Sequence, residues 1–125
     1  MQAKKRMRCW MIIKRGEILL VNFDPVKGSE QGKTRPAVIV QNNTGNTYSS
    51  TTIVVPITSK IPEKNYPTDV FVTAKEIGLQ KDGTINCAQI ATISVKHKVL
   101  KKLGALSSST MEKVDSALKT SLALE

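Results

Sequence analysis

A single histidine, His97, is present in the 125 residues. A two-histidine ribonuclease or a His-rich metal centre cannot be assembled from one imidazole. The two cysteines, Cys9 and Cys87, lack CxxC spacing, so neither a disulfide framework nor a zinc site is indicated. They read as two idle thiols in a reducing cytoplasm. Aromatic residues make up only 4% of the chain, and its longest apolar run, Ile53–Ile57, is short and broken by Pro56. A membrane span needs far more. No Walker loop, dinucleotide fingerprint or HExxH is present, and the acids are scattered without paired spacing. The composition therefore calls for no metal and no cofactor, and most enzyme classes are excluded.

What remains is 40% apolar and 23% charged, ordinary for one soluble globular domain. Lys and Arg number 19 against 10 Asp and Glu, a surplus of +9 that favours polyanionic or acidic partners. Four of those cations, Lys4, Lys5, Arg6 and Arg8, crowd residues 1–10, which read as a basic tail before a single domain over 11–125. The tail lacks the apolar stretch of a signal peptide, so a cytoplasmic protein is expected. Met11 is a candidate natural start.

Six or seven short strands with one terminal helix are expected. Glu17–Phe23 reads as a strand ended by Asp24-Pro25, and Ala37–Val40 as a strand buried on both faces. Between them, residues 24–35 form a glycine-containing loop long enough to be functional. Asn42–Ser50 reads as polar turn. Thr52–Thr58 is a strand in which Pro56 implies an edge or a bulge. After a loop over Ile61–Thr68 come a strand at Asp69–Thr73, a helical turn at Ala74–Ile77 and paired short strands within Thr84–Ile93. Val99–Leu106 is a last strand with Gly104 as a possible bulge. Ser109 and Glu112 form a capping-box pattern, and Met111, Val114, Leu118 and Leu122 then recur at helical spacing. The fold class is mainly β with a C-terminal α-helix, a small half-open barrel.

Chemistry concentrates in the long loop. Gly28 and Gly32 allow close backbone approach to a ligand, while Ser29, Glu30 and Gln31 offer hydroxyl, carboxylate and amide. The loop delivers Arg35 just before Pro36, which biases it towards an extended backbone. A guanidinium held there suits a phosphate. By spacing alone, a plain ion pair with Glu30 or Glu17 is the favoured reading of Arg35. Thr58 by itself is an ordinary β-former, and Gln89 an ordinary surface amide. Tyr66, flanked by Asn65 and Pro67, is a better base-stacking candidate than Phe71, which core packing would claim. His97 sits among Lys96, Lys98, Lys101 and Lys102 as part of a solvated positive face.

Taken in order, Lys14-Arg-Gly-Glu17, Gly28-Ser-Glu-Gln-Gly32, Arg35-Pro36, Val40-Gln-Asn42, Val55-Pro-Ile-Thr58 and Gln89-Ile90 followed by Thr92-Ile93 resemble the MazF/PemK (Kid) family. These are toxin endoribonucleases of type II toxin–antitoxin systems. The resemblance spans about Met11–Leu124. It implies an SH3-like half-open barrel of the CcdB/Kid plasmid-maintenance toxin kind, working as a homodimer. It also implies metal-independent cutting of single-stranded RNA, messenger RNA included, to 2′,3′-cyclic phosphate and 5′-hydroxyl ends, with growth arrest as the outcome. The family's catalytic pair falls on Arg35 and Thr58. Ser29, Glu30 and Gln31 match its RNA-groove loop, and Gln89 a base-contacting glutamine. An acidic MazE-type antitoxin is the implied partner, through which the complex binds operator DNA. One departure stands out: many members read Gln-Ile-Arg-Thr-Ile-Asp where this chain has Gln89-Ile-Ala91-Thr-Ile-Ser94.

The residues suit that reaction, because RNA brings its own nucleophile and needs no serine–histidine pair. Arg35 can stabilise a dianionic phosphorane and Thr58 can bond a non-bridging oxygen. Water, Arg35 and Glu30 are all open as acceptor of the 2′-hydroxyl proton, although an isolated guanidinium is a poor base. Two other classes compete: a gyrase poison of the CcdB type, which needs no such pair, and a plain nucleic-acid-binding SH3-like module.

Overall fold

Valine, isoleucine and leucine dominate the strands, where branched side chains pack well on a pleated surface. The computed structural model describes residues 11–23 and 34–124. The tail over 1–10 with Cys9, and Ser29, Glu30 and Gln31, lie outside the described residues. In chain order the elements are β1 (Glu17–Asn22), β2 (Thr34–Ile39), α1 (Asn43–Tyr48), β3 (Thr51–Thr58), β4 (Asp69–Val72), α2 (Ala74–Ile77), β5 (Gly83–Asn86), β6 (Ala91–Ser94), α3 (Val95–Lys98), β7 (Val99–Ala105) and α4 (Ser108–Leu122). All strand pairs are antiparallel. One seven-stranded sheet runs β4-β5-β3-β2-β1-β7, with β6 also on β3. The mainly β half-open barrel with a C-terminal helix is thus the architecture found.

Strand β3 is the hub, not the edge that Pro56 suggested. One side pairs with β2, and the other is divided between β6, opposite Thr51–Val54, and β5, opposite Ile57–Thr58. The Ile53 carbonyl accepts from Val40 N–H at 2.8 Å, so Ile53 directs its backbone towards β2. Backbone direction alternates along a strand, which turns Pro56 towards the divided side. There it falls in the gap between β6 and β5, where its missing N–H leaves no ladder bond unmade. Accordingly, β5 and β6 are not paired with each other: each pairs a different end of β3.

Because β1, β2 and β3 sit mid-sheet, both of their faces are buried. Ile18, Val38, Val55 and Ile57 face a core completed by β4, β5 and α4. Leu19, Val21, Ala37, Ile39 and Val54 face a second core closed by Ile13, Ile93 and Val95. Cys87 lies in the first, fully buried, and its thiol is pushed up to about 12 by desolvation first and then by Asp69 and Asp115. At neutral pH it is therefore an unreactive packing group. In β7 the register slips opposite Ile18/Leu19 and again opposite Leu20/Val21, the first beside Gly104 as its sequence position suggested.

One helix end and one whole helix differ from expectation. The α4 N-cap is Ser107, whose hydroxyl accepts from Thr110 N–H, not Ser109. Val114 and Ala117 are buried, Met111 and Leu118 pack at the core margin, and Leu122 at 53% exposure is outside it. The polar stretch after β2 is a helix, α1, instead of a turn. It forms because its polar side chains make the packing. Asn42 caps it through Gly45 N–H, and Asn46 uses its whole amide: Nδ2 donates to Gln41 O and Asn43 Oδ1, while Oδ1 accepts from Gln41 Nε2 and Thr52 Oγ1. Asn46→Ala should cost about 2–3 kcal/mol, since the fully buried Thr52 hydroxyl would lose its acceptor and Gln41 would keep only its bond to Thr51 O. Urea unfolding measures this; an unchanged midpoint would show that the network adds nothing.

Candidate active site

Arg35 and Thr58 stand at the ends of two adjacent strands. The β2–β3 ladder closes with Ala37 opposite Pro56. Two residues beyond that last pair on each strand come Arg35 and Thr58, and both line one cavity. Thr58 turns its backbone to β5, opposite Thr84. Arg35 is half-buried and lies one residue inside β2, not in the loop before it. Opposite it on the other side is Val21 of β1. Among the described residues no acid pairs with Arg35, and Glu17 is engaged by Lys14 N–H and Lys102. Thr58 Oγ1 accepts the Lys60 N–H at 3.2 Å. With a lone pair so used, its hydroxyl hydrogen remains available to a ligand.

Arg35 borders two cavities. The larger, about 620 Å³, is lined by Thr34–Pro36, Ile57–Ser59 and the α2–β5 connection over Gly78–Gly83. The smaller, about 440 Å³, has Phe23, Pro56, Gln89, Ile90 and Ala91 around the same arginine. The structure therefore brings Arg35, Thr58 and Gln89 together around one junction. Tyr66 is exposed in the β3–β4 connection and lines neither cavity. Phe71 is 55% exposed, since alternation along β4 sends Val70 and Val72 inward and Phe71 out; it is no core residue. Phe23 and the Gly78–Gly83 connection went unmarked in the sequence, where a phenylalanine ending a strand and a polar loop carry no local signal.

The substituted positions separate into two roles. Ser94 caps α3 by accepting the His97 N–H, a task that Asp performs equally well. Ala91 lines the smaller cavity, so no second cation stands beside Arg35 at that position. His97 itself is exposed. Among the described residues no three His, Cys, Asp or Glu side chains converge.

Gly83 locks β5 against the site. A Cβ there would lie 2.8 Å from Ile57 Cγ2 and 3.0 Å from Thr58 O. The Gly83→Ala variant should lose about 1–3 kcal/mol of stability through overpacking. A denaturation midpoint equal to wild type would mean that β5 does not press on Thr58.

Comparison with known proteins gives a consistent picture. Residues 14–122 match the profile of the PemK-like, MazF-like toxins of type II toxin–antitoxin systems. Endoribonuclease EndoA of Bacillus subtilis (strain 168) is 44% identical over 114 residues, covering 91% of this chain and 97% of that protein. Among solved structures, the Mycobacterium tuberculosis toxin MazF-mt6 superposes with a TM-score of 0.73 at 23% identity, covering 87% of this chain and 98% of that one. A MazE-MazF crystal structure from Deinococcus radiodurans gives 0.74 at 22% identity, covering 92% and 99%. An endoribonuclease in complex with its cognate antitoxin, from Mycobacterial species, gives 0.72 at 25% identity, covering 90% and 97%.

Proposed function

Since the chain belongs to the PemK-like, MazF-like toxins of type II toxin–antitoxin systems, we propose that it is a sequence-specific endoribonuclease acting on single-stranded RNA. The observation that carries this reading is that Arg35 and Thr58, near the ends of adjacent strands, line one cavity while Arg35 also borders a second. In the reaction the 2′-oxygen bonds to phosphorus as the P–O5′ bond breaks. A 2′,3′-cyclic phosphate and a 5′-hydroxyl result, one proton leaving the 2′-oxygen and one reaching the 5′-oxygen. Arg35 opposes the charge that builds on the phosphorane and donates towards the leaving oxygen. Thr58, its lone pair taken by Lys60, donates to a non-bridging oxygen. One such donor, well placed, is worth about 10²–10³-fold in rate. The attacking group belongs to the substrate, so no metal is required.

Binding is divided across the arginine. The smaller cavity combines the Phe23 ring and the Pro56, Ile90 and Ala91 surface with the Gln89 amide, which suits a nucleobase read at its edge. Ser29, Glu30 and Gln31 belong to the same groove in this reading. Tyr66 is left for a base further along the strand. Partners are a second copy of the chain and an acidic MazE-type antitoxin that covers the groove, the assembled complex binding operator DNA through the antitoxin. The structurally similar MazE-MazF and cognate-antitoxin complexes support the antitoxin, and the exposed end of the α4 stripe at Leu122 supports a chain–chain contact.

The test is cleavage of protein-free single-stranded RNA in excess EDTA, wild type beside Arg35→Ala, with end-group analysis. Cyclic phosphate ends from wild type and a loss of at least about 100-fold in the variant are expected. Equal cutting by the two proteins would remove Arg35 from the site. Failure of both would contradict the ribonuclease reading and direct attention to gyrase supercoiling.

A further inference from the structure

Facing Arg35 and Thr58 across the larger cavity is the α2–β5 connection, residues 78–82. Its two ends are tied. Gly78 ends α2 in the left-handed region at φ 70°, and Leu79 N–H bonds to the Ala74 carbonyl at 3.0 Å. Asp82 Oδ1 accepts the Ala74 N–H at 2.7 Å, closing the connection back onto the start of α2. Immediately after it, Gly83 is pressed against β3. The backbone between these ties is thus a short bracket fixed relative to Thr58. Lys81 stands on it, exposed, lining the cavity and without an ion pair among the described residues. Its acidic neighbour Asp82 is already occupied with backbone.

We propose that Lys81 binds a phosphodiester of the RNA next to the one at Arg35, an inference that rests on the ribonuclease reading. The nucleotide chain continues past the reacting phosphate on both sides, so each flank of Arg35 offers a place for a further contact. On one side of Arg35 the smaller cavity offers apolar surface and an amide, fit for a base; on the other, Lys81 offers a cation. An ammonium needs no forked geometry to hold a phosphate and reaches it as a point charge. Such a contact strengthens binding to all sequences alike, without altering base preference. It also follows salt, because each phosphate neutralised on a single strand steepens the dependence of log K on log salt by about 0.7.

The experiment uses Arg35→Ala as a non-cutting parent and a fluorescently labelled, unstructured single-stranded RNA of mixed sequence. Affinity is measured from about 50 to about 300 mM KCl for the parent and for the parent carrying Lys81→Ala or Lys81→Arg. Lys81→Ala should weaken binding about three- to tenfold at the low-salt end and reduce the slope by about 0.7; Lys81→Arg should restore both. In an otherwise wild-type chain, Lys81→Ala should raise KM and leave kcat within about twofold, the mark of lost uniform binding. Parent-like affinity and slope for Lys81→Ala would overturn the assignment while leaving the ribonuclease reading intact. A parent that binds no RNA, with a wild type that cuts none, would overturn both.

Discussion

A strand paired along both edges has no position to spare for a residue without an N–H, yet Pro56 lies inside the central strand of this sheet. The conflict is resolved by dividing one edge of β3 between β6 and β5 and leaving the proline in the interval. Much else follows from that division. The β5 end brings Gly83 and the connection before it to Thr58, making the wall of one cavity. The start of β6 and the turn before it bring Ala91, Ile90 and Gln89 to the opposite side, with Pro56 itself in the lining of the second. Arg35, on the undivided edge, faces both. An arginine flanked by two unlike cavities, the reaction centre of the proposed function, is thus a consequence of where the ladder on β3 has to stop.

The motifs that carry the family resemblance divide between framework and chemistry. Arg15 donates its Nε to Val40 O and an Nη to Asp115 Oδ1, tying the segment before β1 to the end of β2 and to α4. Glu17 accepts the Lys14 N–H. Gln41 and Asn42 hold α1, and Ser94 caps α3. None of these lines either cavity. The residues to which the proposed function assigns chemistry, Arg35, Thr58 and Gln89 among them, line the cavities instead, at a strand end or in a turn next to one. Ala91 belongs with them, a small uncharged side chain in the lining of the smaller cavity.

The strands were legible because Val, Ile and Leu in β1 to β3 leave no other placement for so many apolar side chains. α1 was not, because Asn43–Tyr48 has no apolar stripe and its stability resides in amide contacts with residues before and after it in sequence. Ser109 with Glu112 imitates a capping box, but Ser107 two residues earlier holds the cap because the chain leaves β7 there. Neither the exposure of Phe71 nor the part played by Lys81 could be read locally. One depends on β4 lying at the sheet edge, the other on a connection packed across the cavity from a strand distant in sequence.

If the cavity that both line is what makes Arg35 and Thr58 a site, the two must act on one phosphate as a unit. The direct measurement is a double-mutant cycle on single-turnover RNA cleavage, with Arg35→Ala, Thr58→Val and the double variant. The expected result is strong non-additivity, the double variant cutting no more slowly than Arg35→Ala alone. Losses that simply multiply would show two residues working independently and would contradict the shared site.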